Sequence, residues 1–312
     1  MKQAGNSTHS KGDLLFRLIA AACTAVLLLL MAGIMFQLIR YSELSLEQFG
    51  FGFLTSEAWN PVTGDYGAAS SILGTLVSTA IAMLLAVPTS FFIALLLAEL
   101  APPAVSKVTG YAIELLAAIP SIIYGMWGLF VFAPFMADHA QPFLGHYLSF
   151  LPLFQGPPMG IGMLTGGIIL ALMILPFISA VMRDVFTMVP AVVKEAGYGV
   201  GGSTWEVTRY VTMPYGFAGI IGASFLGLGR ALGETMAVTF VIGNKHAISW
   251  SLFAAGNTIA STLANEFAEA SEPLYVSSLV ELGLILFAIT LIIQMISHFW
   301  LSKIRDAVGA GL

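Results

Sequence analysis

The chain has 312 residues, 58% of them hydrophobic and 9% charged, against roughly 25% charged in an average soluble domain. A mean hydropathy of +0.90 excludes a disordered chain and an ordinary water-soluble fold, and points to helices that lie in lipid. The 12 basic and 17 acidic residues give a net charge of −5, which leaves no basic surface for nucleic acid, and the single cysteine, Cys23, excludes a disulfide framework and a cysteine-rich metal site.

A helix needs about 20 apolar residues to cross the hydrocarbon core, and six stretches provide them: 14–39, 70–98, 109–137, 161–182, 217–243 and 276–301. The expected fold is an all-α integral membrane protein with six transmembrane helices in a single domain covering 1–312. A β-barrel is excluded because these runs are continuous rather than alternating at period two. The first stretch follows Lys2, Lys11 and Arg17 as a signal peptide would, but its 26 residues are a spanning length. It also stays apolar past Cys23, where a mature lipoprotein turns polar, so lipidation is not expected. Pro88, Pro120, Pro134 and Pro176 fall inside these spans and each removes a backbone hydrogen bond. They read either as broken helices around a central path or as ordinary kinks.

Six spans put both termini on one side. With the N-terminus inside, the inner segments hold Lys2, Lys11, Arg17, Lys107, Arg183, Lys194, Arg209, Lys303 and Arg305, the outer ones hold Arg40 and Lys245, and Arg230 lies within a span. That asymmetry places both termini in the cytoplasm. The outer segments 40–69, 138–160 and 244–275 are acidic and aromatic, with Glu43, Glu47, Glu57, Asp65, Asp138, Glu266, Glu269 and Glu272, and form surfaces that a partner outside the membrane can meet. Within the last, Ile259, Leu263 and Phe267 recur every four residues, the pattern of a helix lying on the bundle.

The inner connection 183–216 is too short for a folded enzyme domain, and no Gly-Lys dipeptide occurs for a P-loop. ATP-driven work would therefore need another subunit. No nucleophile-base pair, metal cluster or carboxylate dyad stands at mechanistic spacing, so neither an enzyme nor a resident metal is expected.

In the fifth stretch Arg230 lies 13 residues past Phe217, about 20 Å along a helix and so near mid-membrane. A guanidinium there costs roughly 2.5 to 3.5 kcal/mol on insertion scales and should face protein or a watery cavity. Glu234, four residues on, can pair with it within the helix. The planar fork of an arginine suits a multivalent oxyanion, and the nearby acid permits release. The alternative is a structural ion pair between helices. Ala223, Gly227, Gly229 and Gly233 form small faces suited to close helix approach at a subunit interface. Ser121 and Tyr124, beside the Pro120 break, are candidate donors to the anion. Glu114 and Glu281 either line the path or reach water from the span ends, and His298 reads as interfacial, with no second ligand at metal spacing.

Lys194-Glu195-Ala196-Gly197-Tyr198-Gly199-Val200-Gly201, followed after nine residues by Val211-Thr212-Met213-Pro214, resembles the EAA loop of ABC importer permeases, E-A-A-x3-G-x9-I-x-L-P. Glu195, Ala196, Gly201 and Pro214 match; Gly197 stands for the second alanine, and Val211 and Met213 for Ile and Leu. The resemblance implies a pair of short helices, at approximately 190–216, that docks on a cytoplasmic ATPase. The glycines should soften the first helix by about 1 kcal/mol each, and Glu195 should sit near its start, where the dipole favours an acid.

Gly229-Arg230-Ala231-Leu232-Gly233-Glu234-Thr235-Met236-Ala237-Val238 is similar to the corresponding span of phosphate-specific ABC importer permeases. So are Val241 to Asn244, Phe53 to Thr55, Trp59 to Gly64 and Ile119 to Gly125. The Met-Ala-Val run and the Trp-Asn-Pro segment resemble the C-type subunit more than its A-type sister. The resemblance implies a type I ABC importer permease fold and passage of inorganic phosphate past Arg230 and Glu234. It also implies a second, A-type permease, an ATPase dimer carrying the ATP and Mg, an external phosphate-binding protein and residence in a bacterial inner membrane. Rival readings are an importer of sulfate or molybdate and an ATP-independent secondary transporter or channel.

Overall fold

The computed structural model describes residues 11–309; Lys2, counted among the inner charges, lies outside the described residues. The elements in order are α1 (Lys11–Tyr41), α2 (Glu43–Phe49), α3 (Ala69–Leu95, continued by a wide turn Leu96–Leu100) and α4 (Pro103–Ala117). There follow α5 (Ser121–Tyr147), α6 (Met163–Thr187), α7 (Ala191–Gly199), α8 (Thr204–Leu232), α9 (Met236–Thr239), α10 (Ile259–Glu266) and α11 (Pro273–Gly309). Among the described residues there is no strand, and six helices are long and apolar enough to cross a membrane: α1, α3, α5, α6, α8 and α11.

The centre of the bundle is the seam between α3 and α6. Along α3, Ser70, Gly74, Ser78, Ala82, Ala86, Ser90 and Ala94 recur every fourth residue and all are buried. Along α6, Leu170, Ile174, Ile178, Met182 and Phe186 do the same with large side chains. Lipid tails are as apolar as leucine, so hydrophobicity alone does not drive helices together in a membrane. A row of small residues that lets backbones approach, filled by a row of large ones, supplies the dispersion contacts instead. Ser90 Oγ also donates to the Leu175 carbonyl at 3.0 Å, a polar tie across the seam.

Around this core two of the expected stretches are divided, although α5 and α8 are each long enough to cross alone. The stretch expected as one span, 109–137, divides into α4 and α5 at Ala118-Ile119-Pro120. Pro120 has no N–H to continue the helix and disfavours helical backbone at the residue before it. The stretch 217–243 divides likewise: α8 begins earlier, at Thr204, and ends at Leu232, and Gly233-Glu234-Thr235 separate it from α9. Pro88, Pro134 and Pro176 lie within continuous helices, so of the four prolines Pro120 marks a break.

The two breaks meet. Gly125 packs so closely on α9 that a methyl group there would lie 2.8 Å from the Phe240 ring, 2.9 Å from the Met236 carbonyl oxygen and 3.1 Å from Ala237 Cα. The row Ala223, Gly227, Ala231 is buried within the chain, with Gly227 against Ile178 of α6; of the small faces expected at a subunit interface, this one is used internally. Gly229 faces the Gln294 amide of α11 instead.

At the far side α1 packs on α11 and α2, and residues 14–36 are exposed along its length. Glu281 of α11 is 3% exposed and hydrogen-bonds Ser45 of α2, while its Oε2 has no partner. Glu114 of α4 pairs with Arg183 of α6 at 3.6 Å, and His298 is exposed on α11. Of the stripe expected on α10, Ile259 is buried and Leu263 packs on the core, but Phe267, just past the helix end, is exposed.

Candidate anion path and coupling surface

Arg230 sits in the last turn of α8, beside the junction of the two breaks. Its guanidinium carbon lies over the Phe177 ring at 5.4 Å from the centroid, and Phe177 is near the middle of the 25-residue α6. Arg230, Leu226 and Gly233 are exposed together, one uncovered face of α8 at helical spacing.

The expected helical pair with Glu234 does not form. Because α8 ends at Leu232, Glu234 is outside the helix, and its Oε1 accepts from the Ala237 N–H at 3.2 Å, capping the start of α9. Among the described residues no carboxylate stands within 4.0 Å of Arg230. Across the junction Ser121 opens α5, half-buried. The Tyr124 hydroxyl, within electrostatic reach of Arg230, donates at 3.0 Å to the Leu116 carbonyl, which also accepts the Ile119 N–H at 3.2 Å, and so ties α5 across the Pro120 break to the end of α4. Its proton is engaged there rather than free for an anion. The structure thus brings Tyr124 within reach of Arg230, shows no contact between Ser121 and Arg230, and turns Glu234 aside.

The loop between α6 and α8 departs from a pair of separate short helices. The first is α7; the second is the opening of α8, which runs on into the span through a wide turn at Thr208–Thr212. Glu195 and Ala196 are exposed on α7, Gly201 forms the turn with φ +88°, a region that favours glycine, and Pro214 is exposed on α8. Glu195 is the fifth residue of α7, past its first turn, so the dipole does not account for it. Gly197, the departure from the family pattern, has a packing reason: a methyl group there would press on Val207 Cγ2 at 3.1 Å. Ser203 and Glu206 close a reciprocal capping box at the start of α8, with Ser203 N–H donating to Glu206 at 2.8 Å. Val192, Val200, Trp205 and Tyr210 leave an apolar outer surface, Val200 being 88% exposed.

One ion pair fixes this loop. Lys194 Nζ reaches Glu99 Oε1 at 2.5 Å, with the two side chains 20% and 5% exposed, and ties α7 to the end of α3. Nothing in the sequence announces a partner 95 residues away; the capping box, by contrast, is written locally as Ser-Thr-Trp-Glu.

No family model matches the chain. A curated relative from Mesorhizobium japonicum, "Phosphate transport system permease protein PstC", is 53% identical over 96% of this chain and 92% of its own length. The chain belongs to the PstC family of permease proteins. A PstC of Pasteurella multocida is 52% identical over 96% of this chain and 95% of that one, and a probable PstC of Methanocaldococcus jannaschii 36% identical over 85% and 86%. Among solved structures, an inward-facing MetNI methionine ABC transporter matches 76% of this chain and 94% of its own, with a TM-score of 0.52 at 14% identity. That likeness establishes the type I ABC permease fold.

In this PstC-family chain the end opposite α7 is closed by a polar network centred on Glu266. Its carboxylate accepts from Trp59 Nε1 at 2.5 Å, Tyr275 Oη at 2.7 Å and His246 Nε2 at 2.9 Å. Trp59 stacks on His246 with rings 5.1 Å apart and 7° from parallel. Asn257 Nδ2 bonds Ser71, His246 and Thr262. Burial pushes the Glu266 carboxyl up, but its hydrogen bonds from His246, Tyr275 and Trp59 outweigh that and hold it below the ordinary glutamate value. Four separate segments, from Trp59 to Tyr275, are stapled by one charge. The sequence marked Trp59 through resemblance and Glu266 as one acid among several, with no signal that they meet.

Proposed function

We propose that this chain is the membrane-spanning permease subunit of an ATP-driven phosphate importer, and that inorganic phosphate crosses by alternating access past Arg230. The observation that carries the reading is a guanidinium in the last turn of a spanning helix, on an uncovered face beside the chain breaks at Pro120 and Gly233, with no carboxylate on it. An intramembrane charge is read as a functional site by default, and the arginine fork fits tetrahedral oxyanions bidentately. The PstC relatives, named for phosphate transport, support phosphate over sulfate or molybdate. Ser121, at the start of α5 beside the Pro120 break, is the candidate hydroxyl donor. Glu234, which caps α9, competes for the guanidinium in a transport state where it leaves that cap.

The chain lies in a bacterial inner membrane with both termini in the cytoplasm, a reading supported by its lysine and arginine distribution. The apolar surface around Glu195, Ala196, Gly201 and Pro214 docks on one subunit of an ATPase dimer, which binds the ATP and Mg that this chain does not. The α8 helix gives that dock a direct mechanical line, since it runs unbroken from Thr204 to Arg230. The uncovered face of α8 meets a second, A-type permease across the path, and the opposite end receives an external phosphate-binding protein.

Phosphate uptake into proteoliposomes holding the complete assembly tests this. Uptake should require ATP, fall with a Glu195→Lys change together with substrate-stimulated hydrolysis, and fall in Arg230→Lys. Uptake without ATPase subunits would overturn the ATP-driven reading in favour of a secondary transporter or channel, and efficient competition by sulfate or molybdate would overturn the choice of anion.

A further inference from the structure

An arginine within a membrane span needs a partner while no substrate is bound, and the partner decides what the arginine can still do. A carboxylate occupies the N–H edge of the fork, two donors at a time. An aromatic ring engages the flat face through its quadrupole and leaves all five donors free. Arg230 has the second kind of partner: the Phe177 ring lies 5.4 Å from its guanidinium carbon, inside the ~6 Å reach of a cation–π contact. The acid that could have supplied the first kind, Glu234, is engaged by the Ala237 N–H.

The ring is carried on a stiff element. Phe177 follows Pro176 in α6, the Ser179 hydroxyl donates to the Pro176 carbonyl at 3.0 Å, and Ser90 of α3 donates to the Leu175 carbonyl at 3.0 Å. Its flanking neighbours Pro176 and Ile178 are buried while Phe177 itself is half-buried towards Arg230. The covered side of the guanidinium is therefore apolar and fixed, and among the described residues no hydrogen bond or ion pair uses its N–H donors.

We infer that Phe177 is a positioning residue for phosphate passage: its ring holds Arg230 in place by the face, so that the edge donors stay free for the oxyanion. The inference rests on the phosphate-permease reading above. Ring and anion act on the guanidinium together, one beneath it and one at its edge, so removing the ring loosens the anion's site rather than tightening it.

The experiment replaces Phe177 in the full assembly with a series of fluorinated phenylalanines, which drain the ring's negative face at nearly constant size, and with Phe177→Leu and Phe177→Trp. Maximal phosphate uptake is measured in proteoliposomes at saturating external phosphate, normalised to assembled complex. Uptake should fall stepwise with each added fluorine and about three- to thirtyfold in Phe177→Leu, while Phe177→Trp, with the stronger ring face, retains wild-type uptake. A flat fluorine series overturns the inference whatever the leucine variant does, because a packing role follows volume and not ring charge. Absence of phosphate uptake by the unmodified assembly overturns the parent reading instead, and this inference with it.

Discussion

The pair Glu99–Lys194 makes a quantitative test of how α7 is held. Removing one partner of a buried ion pair costs about 3–5 kcal/mol, because the survivor stays buried and unpaired. Lys194 keeps 20% of its side chain exposed and has the Phe186 carbonyl at 3.4 Å as a second acceptor, so the cost of Glu99→Gln falls to about 2 kcal/mol by the same reasoning. Few other contacts hold α7: Gly197 rests on Val207, and the remaining surface is exposed. The loss should therefore open α7 locally rather than unfold the bundle. Hydrogen exchange of the α7 amides reads this directly, and ~2 kcal/mol corresponds to roughly thirtyfold faster exchange. Lys194→Met should act similarly, and Glu99→Gln with Lys194→Met should restore part of the protection, since no charge is then left buried. A double-mutant cycle with strictly additive effects, or unchanged exchange in the single variants, would show that the pair does not anchor the helix.

Two further outcomes follow from particular contacts. Gly125→Ala forces a methyl against the Met236 carbonyl and the Phe240 ring; it should cost about 1–3 kcal/mol of stability, seen as a lowered thermal midpoint of the purified permease, and a neutral result would mean that α5 and α9 separate freely. For Glu266 the folded carboxyl is held below its ordinary value of 4.5, so its contribution is complete above that value and disappears as pH falls through the folded one. The thermal midpoint should therefore drop on acidification below about pH 4.5, and Glu266→Gln should remove that acid-sensitive component; the same drop in both proteins would assign it to other carboxyls.

Much of this molecule was legible locally. Six apolar stretches announced a helical membrane protein because the bilayer sets a length that sequence can be counted against. The Glu195, Ala196, Gly201, Pro214 spacing marked the loop that the structure displays on the surface. The seam of α3 carries a small residue every fourth position from Ser70 to Ala94, a pattern that goes unmarked in the sequence because alanine and serine are common in any membrane helix.

What escaped depends on contacts that no local pattern encodes. Arg230 and Glu234 are four residues apart and would pair in a continuous helix; the helix ends between them because α9 turns away to pack against Gly125 of α5. The real partner of Arg230, Phe177, lies on α6, and that of Lys194 lies on α3. Residue types and their spacing along the chain therefore determined that this protein is a six-helix membrane permease with an arginine in its fifth span. Tertiary structure alone decided which side chains face that arginine, because the free energy that breaks a helix at Pro120 or at Gly233 is settled by the packing on either side of the break.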